Sequence, residues 1–335
     1  MKSFAGKKVL FVCPIFFGYE REIELELINL GVEVDYFNER PFTSSVAKIL
    51  NRLNFKFFIK ENIKKYYNTI LDRVVSVQYD VLLVVNPETM TPDFIRQVKK
   101  YNPSIRTILY FWDSIKNKRN SFDLVDEFDK VVTFDKNDAQ INSRINFLPL
   151  FYTNTYDVNA VDKKDCYDTV YKAAFIGTAH SDRYKLVNNI LAQIQTVKLS
   201  NFIFFYCPSK LLYILKKMLT RELEGISLRN VSFKSMSAKS IVEVLHDSQL
   251  IIDIEHPNQN GLTMRTIEML GLQKKLITTN KNIIDYDFYN SNNIFIVDRA
   301  NPQIDVLFLQ TEYQPIDSSI REQYSLNSWL KKLLE

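Results

Sequence analysis

The sequence predicts an α/β protein made of two parallel-sheet domains of the βαβ, Rossmann-like type. Short β-rich runs alternate with longer helical patterns from end to end, the pattern of a parallel sheet wrapped by helices. With 335 residues the chain can form two domains of ordinary size, each with its own core. The alternation breaks once, over 149–171 (PLFYTNTYDVNAVDKKDCYDTVY), which is polar and lacks sustained periodicity. The expected organisation is a first domain over 1–155, a linker over 156–172, a second domain over 173–305, and a tail over 306–335 that packs back on the first. Ligands of such sheets bind off the carboxyl ends of strands, so two domains facing each other across a cleft offer one two-sided site.

The first-half strands read at KVLFVC (8–13), VEVDYF (32–37), DVLLVV (80–85), TILYFW (107–112) and KVVTF (130–134). Between the first two, Ile23, Leu27 and Leu30 share a helical face that Gly31 terminates. Thr91-Pro92-Asp93 opens another helix, a capping residue followed by proline at the first helical position. In the second half, strands read at KAAFIG (172–177), NFIFFY (201–206), VSF (231–233), LIIDIE (250–255), KLITT (275–279) and NIFIV (293–297). Helices start from Ser181, Ser209 and Ser237, and a last one covers roughly 319–334.

Composition narrows the function classes. Lys and Arg number 43 against 39 Asp and Glu, a balance that gives no reason to expect nucleic acid as partner. Cys13, Cys166 and Cys207 are few and far apart, which fits a reducing cytoplasm and neither a zinc cluster nor a disulfide framework. The N-terminal apolar run is short and ends in PIFFGYERE, so it scans as a first strand and turn rather than a signal peptide. No run approaches the ~20 apolar residues that span a bilayer. The expected location is cytoplasmic, with any membrane contact peripheral. There is no Walker loop, G-x-G-x-x-G, G-x-S-x-G or H-E-x-x-H. Asp285-Tyr286-Asp287 has Asp-x-Asp spacing, but it sits late in a Tyr/Asn-rich loop and reads as coincidence. No metal or other cofactor is expected.

The chemistry concentrates in NGLTMRTIEMLG (260–271), which holds two of only seven glycines. Gly261 permits a tight turn after an apolar strand, and Thr263 suits an N-cap. First-turn amides of the helix can then hold an anion such as a diphosphate. Arg265 can add a charge-assisted bond to phosphate. Glu268 projects from the same side as Met264, one turn on. Gly271, with Ile267 and Leu270, would face the sheet and allow close helix–strand packing. The competing reading is an ordinary amphipathic helix whose Arg and Glu form a surface ion pair.

This stretch, extended to Asn280 (NGLTMRTIEMLGLQKKLITTN), resembles the C-terminal signature of the CgeB-like, group-1-type glycosyltransferases of bacterial polysaccharide biosynthesis, enzymes of the GT-B fold. The likeness is strongest over 250–296 and weaker over AAFIGTAHSDRYKLV (173–187); in the N-terminal half only the fold pattern and GYE after the first strand match. The resemblance implies that the loop and helix hold the nucleotide diphosphate of an activated sugar, with Glu268 on the ribose hydroxyls. Donor contacts are then expected from Gly261, Leu262, Thr263, Arg265, Glu268 and Gln259; Asn260 stands where a small residue is frequent. The second loop, GTAHSDR, offers Gly177 and Thr178 as backbone donors, Arg183 as a countercharge and His180 as a phosphate or base contact. Read plainly, it is a turn with Ser181 as N-cap and an exposed histidine. Tyr206, at a strand end, is a candidate beside the nucleobase, and His256 precedes the main motif.

The acceptor is expected on the first domain. Gly18 heads a helix N-terminus after the first strand, with Tyr19 beside it; Trp112 ends the fourth strand as a sugar platform. For an inverting reaction Asp113 is the first candidate general base, Glu20 the second and Glu88 the third. Asp113 serves equally well as a helix cap, and Glu20 as a complement to the helix dipole. The segment Ala47–Ile70 places Lys48, Arg52, Lys56, Lys60, Lys64 and Lys65 among Phe55, Phe57, Phe58, Tyr66 and Tyr67. The Lys48–Tyr67 part can rest on an anionic membrane where a lipid-linked saccharide waits, or pack its aromatics into the core below a solvated lysine face. The combined expectation is a metal-independent glycosyltransferase acting on a saccharide or lipid-linked acceptor in surface polysaccharide or lipopolysaccharide assembly. The rivals are a nucleotide-sugar epimerase of the same fold and a non-catalytic nucleotide- or sugar-binding protein.

Overall fold

A computed structural model describes residues 4–40, 60–115, 122–160, 170–194, 199–219, 223, 225–257 and 259–335. They form two compact units, Met1–Pro149 with Trp329–Glu335, and Leu150–Ser328.

The first unit runs β1 (Lys8–Cys13), α1 (Tyr19–Asn29), β2 (Glu33–Asn38), α2 (Lys60–Ser76), β3 (Val81–Val85), α3 (Pro92–Tyr101), β4 (Arg106–Phe111), β5 (Lys130–Thr133), α4 (Lys136–Ala139) and β6 (Ile145–Phe147). Its six strands lie in the order β2-β1-β3-β4-β5-β6, every pair parallel. The unbroken run Val-Leu-Leu-Val-Val of β3 is buried at every residue, as a strand covered on both faces requires. Thr91 caps α3, its hydroxyl accepting from the Phe94 amide, with Pro92 where its missing N–H costs nothing. The aromatics of α2 are structural: Tyr67 is buried, its hydroxyl on Glu39 and Thr89, while Tyr66 donates to the Asn38 carbonyl. Lys60, Lys64 and Lys65 stay in solvent. This half of the basic segment therefore packs into the core and does not lay its aromatics on a membrane; the other half, 41–59, lies outside the described residues. The closing residues Trp329–Glu335 belong here. Trp329 stands edge-on to Tyr110 at 4.8 Å, and Arg106 and Lys130 donate to the carbonyls of Leu334 and Lys332.

The second unit contains β7 (Tyr171–Thr178), α5 (Arg183–Gln193), β8 (Ser200–Tyr206), α6 (Lys210–Leu219), β9 (Val231–Ser232), α7 (Ala238–His246), β10 (Ser248–Asp253), α8 (Met264–Leu272), β11 (Lys275–Thr278), β12 (Ile294–Ile296), α9 (Val306–Gln310), α10 (Ser318–Glu322) and α11 (Leu326–Leu334), whose last residues are counted with the first unit. The sheet order is β12-β11-β10-β7-β8-β9, again all parallel. The single last helix expected over 319–334 is two, because the chain breaks at Gln323–Ser325 to make a bridge between Tyr152 and Ser325. That bridge holds Tyr152, expected at the end of the first domain, inside this unit: Tyr152 N–H donates to Tyr324 O and receives Leu326 N–H on its own carbonyl. Residues 161–169, the centre of the expected linker, lie outside the described residues. Among the described residues no helix is long and apolar enough to cross a membrane.

Candidate functional site

In the second unit the chain leaves the neighbouring strands β7 and β10 in opposite directions along the sheet, β8 and β9 to one side, β11 and β12 to the other. Such a switch point opens a crevice at the carboxyl ends of the two strands, because their following helices lie on opposite faces. The loops there are 179–182 after β7 and 254–263 after β10. Arg183 ties them: Nη1 donates to the Thr178 carbonyl at 3.2 Å and hydroxyl at 3.1 Å, and Nε to the Ile254 carbonyl at 2.6 Å. Burial draws its pKa down to about 10 against the pull of Asp253, Glu255 and Asp182, so it keeps its charge at neutral pH.

A second guanidinium, Arg299, enters from beyond β12. It meets Asp182 at 2.6 Å, the Glu255 carboxylate and carbonyl at 2.8 Å each, and the Thr279 hydroxyl at 3.1 Å. Thr279 in turn donates to Glu255 at 2.5 Å. One side chain thus links the loops that follow β7, β10 and β11. His180 and His256 stack obliquely with ring centroids 5.3 Å apart, and His180 Nδ1 lies 3.0 Å from the Ser181 hydroxyl. Burial, then the charge of Arg183, pushes the His180 pKa down to about 2, so its imidazole is neutral at physiological pH. Ser181 holds a left-handed backbone (φ 48°), and Asp182, not Ser181, occupies the N-cap of α5. A β-carbon on Gly177 would stand 2.8 Å from the Phe175 ring and 3.3 Å from Arg183 Nη1. Gly177 is therefore a strand residue, in register with Phe205 of β8, whose missing side chain leaves room for Arg183.

Thr263 caps α8 as expected, its hydroxyl accepting from the Thr266 amide at 3.2 Å. The same hydroxyl donates to Asp253, which also receives Thr266 Oγ1 at 2.8 Å. A carboxylate thus already complements the positive end of this helix. Arg265 and Glu268 pair at 2.6 Å, but not on the surface: their side chains are 16% and 1% exposed. Tyr156 hydrogen-bonds both, and burial together with Glu268 pushes its hydroxyl pKa up. Glu268 is therefore engaged by Arg265 and Tyr156 rather than presented openly for a ribose. Gly271 differs as well: its missing side chain admits the Tyr156 carbonyl and the Tyr152 ring, not a strand. Leu262 is core at 2% exposed, so only its backbone can serve a ligand. Gln259 and Asn280 both donate to the Gly261 carbonyl at 3.2 Å, which shapes the loop before the helix. Tyr206 ends β8 beside Thr178 and is half-buried. Among the described residues no group of three or more His, Cys, Asp or Glu is placed to hold a metal ion.

The structure adds Arg299, Asp253, Glu255 and Thr279 to the residues named from sequence. Only their position at or just past strand ends could have marked them, since Val-Asp-Arg-Ala (297–300) forms no motif.

In the first unit, Phe16, Tyr19 and Trp112 come together, with Phe16 centred 5.6 Å from Trp112 and 6.3 Å from Tyr19. Phe17 (φ 52°) and Gly18 (φ 88°) are consecutive left-handed residues that turn the chain from β1 into α1 and leave Phe17 exposed. Of the three carboxylates, Glu20 accepts from the Phe16 amide at 2.9 Å, and Asp113 from the Ser114 amide at 2.9 Å. Glu88 is fork-paired with Arg40 at 2.6 and 2.9 Å. Glu39, fully buried, accepts the amides of Glu88, Thr89 and Met90 on one oxygen and so fixes that loop.

No protein-family model matches the sequence, and no curated protein matches it. Solved structures do match. Anabaena Alr3699/HepE, in complex with UDP and glucose, superposes with a TM-score of 0.60 at 12% identity over 98% of both chains. A glycosyltransferase from Rickettsia africae gives 0.51 at 15% identity, covering 98% of this chain and 97% of that one. The lipopolysaccharide outer core galactosyltransferase WaaB, in its apo form, gives 0.50 at 10% identity over 98% and 99%. At these identities the shared property is architecture: two α/β units, each a six-stranded parallel sheet flanked by helices, which is the GT-B fold.

Proposed function

We propose that the protein is a glycosyltransferase that takes its sugar from a nucleotide-activated donor and binds the nucleotide diphosphate on the second unit. The observation that carries this reading is the guanidinium of Arg183, fixed with that of Arg299 at the β7/β10 switch point beside His180, His256 and the hydroxyls of Thr178 and Ser181. Arg299 is charge-paired with Asp182 and Glu255, whereas Arg183 bonds only to carbonyl and hydroxyl oxygens; its positive charge, with the neutral donors around it at one strand-end crevice, suits a diphosphate. That Alr3699/HepE was solved with UDP and glucose supports the same assignment. Glu268 and Arg265 act chiefly by position, holding the start of α8 against Tyr156; direct contact of Glu268 with a ribose requires the pair to open. The donor's departing diphosphate is stabilised by an arginine already in place, without a metal ion, which is where electrostatic preorganisation acts.

The acceptor, a saccharide free or lipid-linked, is assigned to the first unit, on the Phe16/Tyr19/Trp112 platform beside Gly18. Asp113 is the first candidate base and Glu20 the second, since Glu88 is already held in a fork pair by Arg40. Bacterial surface polysaccharide or lipopolysaccharide assembly is the proposed pathway, at the cytoplasmic side of the membrane.

The test is thermal-shift screening against UDP, GDP, dTDP, CMP and their sugars, followed by incubation of the stabilising sugar nucleotide with mixed saccharide acceptors. One nucleotide raises the melting temperature, and its sugar appears on an acceptor. Conversion of the donor sugar with no acceptor present would identify an epimerase instead; binding without any turnover would identify a non-catalytic protein.

A further inference from the structure

At the end of the second sheet opposite the switch point, the starts of β7, β10 and β11 and residues 308–313 enclose a cavity of about 610 Å³, within the range of small-molecule sites. Three lysines line it: Lys172 near the start of β7, Lys275 at the start of β11 and Lys274 one residue earlier. Lys275 Nζ donates to the carbonyls of Phe308 and Thr311, the latter at 2.7 Å, and to the Thr311 hydroxyl at 3.0 Å. It also lies 4.0 Å over the Phe308 ring. Lys274 Nζ donates to the carbonyls of His246 at 2.5 Å and Ser248 at 3.1 Å, and Lys172 Nζ to the Gln249 amide oxygen at 2.8 Å. Among the described residues none of the three lysines forms an ion pair with a carboxylate. Asp247 attracts Lys274 without pairing with it, and Glu312, the carboxylate on the cavity lining, is exposed. The cost of this uncompensated charge shows at Lys275: burial, then the charge of Lys172, lowers its pKa to about 8.

We propose that this cavity is a second ligand site, for a small organic anion: a phosphate or carboxylate group held by Lys172 and Lys274, with an aliphatic or aromatic body against Leu250, Leu309 and Tyr313. The donors are available. An ammonium group has three N–H bonds, so Lys172 keeps two and Lys274 one beyond the contacts they already make. Those contacts hold both side chains in place, and Lys275, with its donors engaged, contributes charge. The body of the ligand is argued from the walls, where Leu250 is core and Leu309 and Tyr313 are half-buried. Lysines act on an anion as point charges and lack the fork geometry of arginine, so phosphate and carboxylate share this chemistry. The assignment is independent of the donor crevice, which lies at the carboxyl ends of the same strands.

The experiment is calorimetric titration of the full chain with phenyl phosphate, 3-phenylpropionate, inorganic phosphate and benzyl alcohol. A phenyl anion is expected to bind, the tighter of the two naming the charged group. Inorganic phosphate lacks the apolar body and benzyl alcohol lacks the charge, so each should bind about tenfold more weakly or worse. Lys172→Gln removes a charged donor and should cost about tenfold. Gln249 is exposed, so Gln249→Glu should keep the wild-type melting temperature while setting a carboxylate against Lys172, with a similar loss of affinity. Arg183→Gln, in the donor crevice, should bind the phenyl anion as wild type does. Failure of both phenyl anions to bind would overturn the proposal, as would unchanged affinity in Lys172→Gln and Gln249→Glu. A loss confined to Arg183→Gln would also overturn it, because the anion would then sit at the switch point.

Discussion

Gly271→Ala separates helix propensity from packing with opposite signs. Gly271 lies inside α8, where alanine is ordinarily better by about 0.8–1 kcal/mol, so propensity alone predicts stabilisation. The structure predicts the reverse. An added β-carbon would stand 2.3 Å from the Tyr156 carbonyl oxygen and 2.7 and 2.8 Å from two carbons of the Tyr152 ring. The ring can tilt, but the carbonyl is main chain, and the segment is pinned by Val158 N–H on the Gly271 carbonyl and by the Tyr152–Ser325 bridge. Overpacking typically costs ~1–3 kcal/mol, and a clash with fixed main chain lies in the upper part of that range, so about 2–3 kcal/mol less the propensity gain leaves a net loss of about 1–2 kcal/mol. For a domain of roughly 150–250 residues each 1 kcal/mol moves the melting temperature by about 2–4 °C. Thermal unfolding of the variant should therefore fall by ~2–8 °C. Displacing Tyr156 also disturbs the Arg265–Glu268 pair, so nucleotide affinity should weaken in parallel. A melting temperature equal to or above wild type would refute the packing between α8 and the 152–156 segment.

Other perturbations address the switch point. Arg299→Ala leaves Glu255, whose side chain is 8% exposed, without its cation. Because Arg299 itself is 24% exposed, the loss in denaturant unfolding should be about 2–3 kcal/mol, below the ~3–5 kcal/mol of a fully buried pair, and Glu255→Gln in the same background should recover part of it. His180 is neutral in the folded state with its pKa lowered to about 2, so the unfolded chain takes up a proton first as pH falls below ~6.5. Stability should decline from pH 6.5 towards 4.5 by at most about 1.4 kcal/mol per unit from this group, and His180→Gln should flatten that part of the curve; an identical slope in the variant would contradict the burial of the imidazole. Chelation with EDTA should leave sugar transfer at its full rate, and loss of activity restored by a divalent ion would end the metal-independent proposal.

How much was legible in the sequence depended on whether the signal was local. Strands such as Val81–Val85 declare themselves because burial on both faces demands an unbroken apolar run, and the Thr91, Ser237 and Thr263 caps lie where hydroxyl residues precede a helical period. Three-residue β6 carries too little pattern to register. The candidate site was half visible. The loops after β7 and β10 announced themselves by glycine, histidine and arginine at strand ends. Arg299 and Asp253 did not, because their roles arise from strand order: β12 and β10 bring them to the crevice only once the sheet is assembled. Arg265 and Glu268 show the opposite limit. Their spacing made the pairing plain, yet nothing local told that Tyr156, more than a hundred residues earlier, would cover it.

The most direct test is calorimetric titration of the protein with a nucleoside, its monophosphate and its diphosphate, for wild type and Arg183→Gln. If Arg183 receives a donor's diphosphate, the diphosphate of one base binds, the bare nucleoside does so far more weakly, and Arg183→Gln loses about 10–100-fold for the diphosphate alone. Equal affinity of nucleoside and diphosphate, or an unchanged diphosphate affinity in a folded Arg183→Gln protein, would contradict the assignment.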